Sequence, residues 1–108
     1  MKLTLEGMAD LLGALAHPVR LAVLRKLLRA HPTGLVVGEL QDAVDIPAST
    51  LSHHLDELRR HGLVEQSREG RFLRYCAAPE HLVAIVRYLA EECCTGSSGQ
   101  PLVSIRRR

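Results

Sequence analysis

The chain has 108 residues, of which 46% are hydrophobic and only 3% aromatic, and its formal net charge is +2. A chain of this length forms a single domain, and an aliphatic composition favours a small helical core over a sandwich or a barrel. No apolar run reaches the roughly 18 residues that span a membrane. Glu6 and Asp10 interrupt the apolar N-terminus, which argues against a signal peptide. Three cysteines do not make a secreted disulfide framework, so we expect a cytoplasmic protein with reduced thiols.

The spacing of apolar residues and the positions of Pro and Gly predict a mainly α fold with a small β-hairpin. The helices are predicted over residues 3–15, 18–30, 38–44, 48–60 and 79–94. The predicted buried face of the first helix consists of Leu5, Met8, Ala9, Leu12 and Leu15. Between the second and third helices, the segment "LVV" is long enough for only one strand-like pairing. Between the last two helices, a two-residue Glu69-Gly70 turn joins two extended segments.

A short helix, a tight turn, a longer helix and a hairpin, in that order, form a winged helix-turn-helix. We expect this domain to occupy residues 1–94 and a flexible tail to occupy residues 95–108.

The longer helix of this pair has one apolar and one polar face. Leu51, Leu55 and Leu58 fall within about 40° of one another at 100° per residue and form the predicted buried stripe. His54 lies beside that stripe and is expected to be a partly buried histidine. The opposite face, which includes Asp56, is rich in short hydroxyls that can approach base edges and phosphates. The candidate DNA-binding residues of this helix are Ser49, Thr50, Ser52, His53, Arg59 and Arg60.

The charges of the chain are concentrated around the hairpin. Residues 59–74 contain five arginines and only two glutamates. Exposed arginines at the tip of a wing can bind a phosphate or enter the minor groove, although arginine also protects ordinary edge strands. The candidate DNA-binding residues of the hairpin are Arg68, Arg71 and Arg74.

The segments "LAHPVRLAVLRKLL" and "GELQDAVDIPASTLSHHLDELRRHGLVEQSREGRFLRYC" resemble the ArsR family of bacterial metal- and metalloid-responsive repressors. The resemblance extends from about residue 11 to residue 94. It implies a homodimeric winged helix-turn-helix, with its first and last helices at the dimer interface, that represses by covering double-stranded operator DNA. It also implies that an effector weakens the DNA complex.

The resemblance implies a choice among several sensing sites, which differ in their ligands. The family's cysteines before the recognition helix are replaced here by "ELQDAV", and the last helix lacks the paired histidines of a zinc site. Cys93 and Cys94 match an adjacent pair found in members that sense arsenite, while the third cysteine of that set is absent from the tail. Soft thiolates select soft, trivalent centres. We therefore predict arsenite or antimonite as the inducer, bound by Cys93 and Cys94, with Cys76 as either a packing residue or a third ligand.

Two other functions are compatible with this sequence. A thiol redox or persulfide switch on the same scaffold would use the same cysteines and need no third ligand. A winged-helix module that binds protein would not need the hydroxyl-rich helix face. An enzyme is not expected, because the sequence has neither a Gly-rich phosphate loop nor an acid pair nor a nucleophile with an evident base.

Overall fold

A computed structural model of the protein describes residues 4–94, without the side chain of Cys94. The predicted tail 95–108 lies outside the described residues. The elements, in chain order, are α1 (Leu5–Leu15), α2 (Pro18–Arg29), β1 (Leu35–Val36), α3 (Val37–Val44), α4 (Ala48–Arg60), β2 (Val64–Glu69), β3 (Phe72–Ala77) and α5 (Glu80–Cys94). This order confirms the predicted mainly α, winged helix-turn-helix fold.

The helix-turn-helix is formed by α3, a three-residue turn and α4. Asp45 begins the turn in the left-handed region, with φ 54° and ψ 54°, and its backbone N–H donates to the carbonyl of Gln41 at 2.8 Å. The Gln41 side chain in turn donates to the carbonyl of Ile46 at 3.3 Å. Pro47 then precedes the first residue of α4. These contacts hold the turn, and α4 has the bounds that the sequence predicts.

The C-terminus of α4 is closed by a glycine. Gly62 takes φ 73°, a conformation that favours glycine. The Leu63 N–H donates to the Leu58 carbonyl and the Gly62 N–H donates to the Arg59 carbonyl, both at 3.0 Å. This pair of bonds is the Schellman arrangement, and it turns the chain directly from the recognition helix into the wing.

The sheet has three antiparallel strands in the order β1-β3-β2, so β3 is the central strand. Leu35 pairs with Tyr75, which confirms the single strand-like pairing expected of "LVV". In the hairpin, Glu69 pairs with Phe72, so the two loop residues are Gly70 and Arg71. The predicted Glu69-Gly70 turn is therefore wrong by one residue.

The core lies where α2, α3 and α4 meet the sheet. Its fully buried residues are Val23, Leu24, Leu27, Leu40, Leu51, Leu55, Leu58 and Leu63. In α1 the buried residues are Met8, Leu11 and Ala14, whereas Leu5 and Leu12 are exposed. The predicted face of α1 was wrong at these two leucines and at Ala9, which is also exposed. The residues that pack inward in α1 follow a stripe rotated from the predicted one.

Among residues 4–94, no single helix is long and apolar enough to cross a membrane. Helices α1 and α2 would meet that test only as a pair, and the chain bends by 96° between them.

Candidate nucleic-acid interface and thiol site

Helix α4 presents the predicted polar face to solvent. Leu51, His54, Leu55 and Leu58 are buried against the core. All six candidate DNA-binding residues of the helix are exposed, as is Asp56. The buried stripe therefore fixes the rotation of the helix and directs its hydroxyls, the His53 imidazole and two guanidiniums outward.

Two acidic residues beside these groups differ in how tightly they are paired. The Arg60 guanidinium donates to Glu57 Oε1 at 2.7 Å. That hydrogen bond lowers the pKa of the Glu57 carboxyl and raises the pKa of Arg60. Asp56 Oδ1 and Arg59 Nη1, by contrast, are 3.7 Å apart, and both side chains are exposed. The Asp56 carboxylate is therefore less tightly paired than the Glu57 carboxylate.

A guanidinium on α2 connects α4 to α1. Arg20 Nε donates to His54 Nδ1 at 3.2 Å, and Arg20 Nη1 donates to the Ala14 carbonyl at 3.1 Å. His54 is buried, which confirms the expected packing and hydrogen-bonding role. Burial is the largest cause of a lowered His54 pKa, and the positive charge of Arg20 adds to it. The neutral imidazole is thus the form that accepts from Arg20.

Two further imidazoles lie beside His54. The His17 and His54 rings are 4.7 Å apart in an edge-on arrangement, and the His53 and His54 rings are 5.7 Å apart. His17 also caps α2, where its Nδ1 accepts from the Arg20 N–H at 3.5 Å. The "HPVR" motif at residues 17–20 therefore both begins α2 and contacts the recognition helix. No sequence pattern predicts the Arg20–His54 contact, because its partners are 34 residues apart.

The three candidate arginines of the hairpin have different surroundings. Arg68 and Arg71 are exposed, and Arg71 lies in the turn itself rather than beside it. Arg74 is half-buried, and its Nε donates to Glu69 Oε2 at 3.0 Å. Its Nη1 also donates to the Gly34 carbonyl at 3.3 Å. Arg74 therefore holds the wing against the loop before β1, whereas Arg68 and Arg71 are presented to solvent.

The exposed face of α4 and the wing border one groove. A shallow groove of about 660 Å³ separates α4 from β2, and it is lined by Asp56, Arg59, Arg60, Val64, Glu65 and Gln66. Helix and wing thus form one continuous surface.

The predicted thiol residues are in unlike environments. Cys76 lies half-buried at the end of β3, where its thiol donates to the Thr33 carbonyl at 3.4 Å. A Cβ at Gly34, which has φ 80°, would collide with the Cys76 sulfur and the Tyr75 carbonyl. This close packing favours the interpretation of Cys76 as a structural residue.

Cys93 is exposed in the last turn of α5, next to Cys94, whose backbone is helical. At 1.5 Å per residue, Cys93 lies about 20 Å along α5 from Glu80. In the part of the chain that the structure describes, no three His, Cys, Asp or Glu side chains are grouped as a metal site. Cys93 and Cys94 are thus neighbours in the last turn of α5, whereas Cys76 lies at the end of β3.

Comparison with known proteins places this fold and surface in a defined class. The helix-turn-helix domain family matches residues 15–67. The transcriptional repressor SmtB of Mycobacterium tuberculosis is 39% identical over 82 residues, which cover 76% of this chain and 58% of SmtB. The transcriptional regulator CmtR of the same organism is 35% identical over 103 residues, which cover 94% of this chain and 83% of CmtR. A crystal structure of an ArsR family transcriptional regulator matches with a TM-score of 0.71 and 28% identity, over 86% of this chain and 93% of that one.

The fold and the exposed recognition helix define a winged helix-turn-helix protein. The relatives show further that the chain belongs to the ArsR/SmtB family of transcriptional regulators. The chain spans somewhat less than two thirds of the length of SmtB. The relatives are regulators rather than enzymes, which confirms the prediction of a non-catalytic protein.

Proposed function

We propose that the protein is a transcriptional repressor that binds double-stranded operator DNA in the cytoplasm as a homodimer. The observation that carries this proposal is the outward face of α4, where Ser49, Ser52 and His53 are exposed. Two arginines of the same helix, Arg59 and Arg60, are also exposed and line the groove beside the wing. Small polar groups can reach base edges in a major groove, and arginines beside them can bind the flanking phosphates. A winged-helix module that binds protein would have no use for this combination.

The exposed apolar side chains of α1 and α5 support the homodimer. Leu5 and Leu12 on α1, and Val83, Tyr88 and Leu89 on α5, are large and exposed. Large apolar side chains that remain exposed on two helices are typical of a protein–protein interface. A dimer also fits the function, because two recognition helices can then enter two successive major-groove half-sites.

We propose further that trivalent arsenic or antimony, bound by Cys93 and Cys94, is the inducer. The two residues supply adjacent thiols, the donors that soft trivalent centres prefer. Consecutive residues of an α-helix point about 100° apart and do not face each other. Both sulfurs can therefore converge on one atom only if the last turn of α5 departs from helical geometry. Because α5 belongs to the proposed dimer interface, that departure changes how the two subunits meet.

The DNA-binding proposal is tested with the Ser52→Ala/His53→Ala variant and the DNA upstream of the protein's own gene. Each good base contact contributes about 1–3 kcal/mol of discrimination, so the double variant should lose most operator specificity while keeping its helix content. Fluorescence anisotropy measures the affinity. The matched control, Thr33→Ala/His31→Ala, removes one hydroxyl and one imidazole from the exposed loop before β1 and should bind normally. Unchanged operator affinity in the Ser52/His53 variant would show that α4 does not read DNA.

The inducer proposal is tested by titrating the protein–operator complex with arsenite, zinc and peroxide in turn. Arsenite should release the wild-type protein. The Cys93→Ser/Cys94→Ser variant should bind operator and ignore arsenite, and the control Cys76→Ser should respond almost normally, because Cys76 is packed against Gly34. Arsenite-induced release of the double variant would exclude the pair as the sensor.

One observation supports a second candidate, the thiol redox switch. Cys93 is exposed, and accessible thiols are the ones that oxidants reach. Release by peroxide, together with no response to arsenite, would favour this alternative.

A further inference from the structure

Asp56 is the one acidic side chain on the face of α4 that the DNA proposal directs at the major groove. At about 100° per residue, it falls within about 20° of Ser49, 40° of Ser52 and 60° of His53. Its side chain is 64% exposed. Asp56 is therefore in line with the residues that would reach base edges, one turn beyond Ser52.

A carboxylate at this position is costly for binding a polyanion. DNA attracts the arginines of the surface and repels Asp56, since the charges lie within a Debye length of the phosphates. Glu57, the next residue, escapes this cost because its carboxylate is half-buried and bonded to Arg60 at 2.7 Å. The 3.7 Å between Asp56 and Arg59 exceeds hydrogen-bond length, and an exposed pair of this kind is weak. Arg59 therefore does not neutralise Asp56 in the way that Arg60 neutralises Glu57.

The repulsion is offset only where a base presents a hydrogen-bond donor. A carboxylate is purely an acceptor. In the major groove, guanine presents N7 and O6, and thymine presents O4 and a methyl group, so neither base offers a donor. Adenine presents its N6 amino group beside the N7 acceptor, which a carboxylate would also face. Cytosine presents its N4 amino group without an acceptor of its own beside it.

We propose that Asp56 is a specificity-determining residue that accepts a hydrogen bond from the N4 amino group of a cytosine in each operator half-site. It acts in two ways: it favours DNA with cytosine at that position, and it disfavours all other DNA by charge repulsion. This inference rests on the proposed DNA-binding function and adds the base that one position of α4 selects.

The experiment selects binding sites from a randomised duplex library with wild-type protein and with Asp56→Asn. An asparagine amide can bond adenine N6 and N7 together. The variant should therefore change its preference from cytosine to adenine at one position of each half-site. The expected discrimination at that position is about 5- to 150-fold, the range that one good base contact provides. Asp56→Ala should lose the cytosine preference and gain no other.

The matched control is Asp42→Asn, which makes the same chemical change at an exposed residue of α3. It should select the same bases as the wild type at every position. If the wild type and Asp56→Asn select operators with identical base preferences, the proposed role of Asp56 is overturned. The DNA-binding function would be unaffected by that result. Failure of the wild-type protein to select any sequence would overturn the proposed DNA-binding function, and the role of Asp56 with it.

Discussion

At the scale of single residues, the recognition helix is held by the Arg20–His54 hydrogen bond, which no local sequence pattern predicts. The sequence pattern correctly predicted His54 to be packed rather than outward, because it lies beside the stripe of Leu51, Leu55 and Leu58 on the helical wheel. It could not predict Arg20 as the partner, since helical periodicity describes one element at a time. Only the packing of α2 against α4 brings the two side chains within 3.2 Å.

The lowered pKa of His54 makes stability depend on pH. Below the ordinary histidine value of 6.5, the unfolded chain binds a proton at this residue that the folded chain resists, so stability falls as pH decreases. We expect the free energy of unfolding in urea to drop between pH 7.5 and pH 5.5, and to drop less in His54→Asn. Asparagine keeps an acceptor for Arg20 but cannot titrate. The same substitution at the exposed His31 should retain the wild-type drop; an equal drop in His54→Asn would exclude His54 as its source.

At the scale of elements, the sequence pattern predicted the hairpin of the wing but not the exact position of its turn. The pattern predicted a hairpin and its two-residue turn but placed the glycine last in the turn, as in an Asn-Gly type I′ turn. In the structure Gly70 is the first loop residue, with φ 62°, the position that type II′ turns reserve for glycine. Both turn types match the right-handed twist of the strands in a hairpin, so the turn type alone does not fix the register. The residues that face the core decide the register. Val64 and Ala77 pair and are both buried, which places Arg71 at the tip.

The position of Arg71 at the tip leads to a prediction for binding. Arg71→Ala should weaken binding to all DNA sequences about equally and reduce the slope of log affinity against log salt by about one, because one phosphate contact is lost. Anisotropy measured between low and moderate salt gives the slope. Arg25→Ala removes the same charge from an exposed position on α2 and should leave the slope unchanged. An unaltered slope for Arg71→Ala would mean that Arg71 only protects the strand edge.

At the scale of the whole molecule, the two helices proposed to form the dimer, α1 and α5, both carry large apolar side chains that are exposed. Leu12, which belonged to the predicted apolar face of α1, is 46% exposed, and Leu89 of α5 is 53% exposed. Periodicity identifies apolar residues but cannot say whether the same chain or a second copy covers them. The expectation that a second copy covers them came from the resemblance to the ArsR family and not from the periodicity.

We therefore expect Leu12→Glu/Leu89→Glu to be monomeric at concentrations at which the wild type is dimeric. Burying two carboxylates in an apolar interface without partners would cost several kcal/mol. Sedimentation velocity measures the oligomeric state. Phe72→Glu introduces one such carboxylate at an exposed apolar residue of the wing and should remain dimeric. A dimeric double variant would place the interface elsewhere.

The closed ends of α4 have a mechanical consequence. A hydrogen-bonded turn fixes its start, a Schellman arrangement fixes its end, and Arg20 ties its middle to the last turn of α1. The recognition helix is therefore held at both ends and in its middle, and in the proposed dimer it would move as one rigid body with its subunit. For half-sites about 34 Å apart, each recognition helix lies about 17 Å from the dimer axis, so a tilt of about 6° at the axis displaces it by about 2 Å. A small change in the angle between the subunits would therefore move both recognition helices out of register with the DNA, although neither helix changes its own shape.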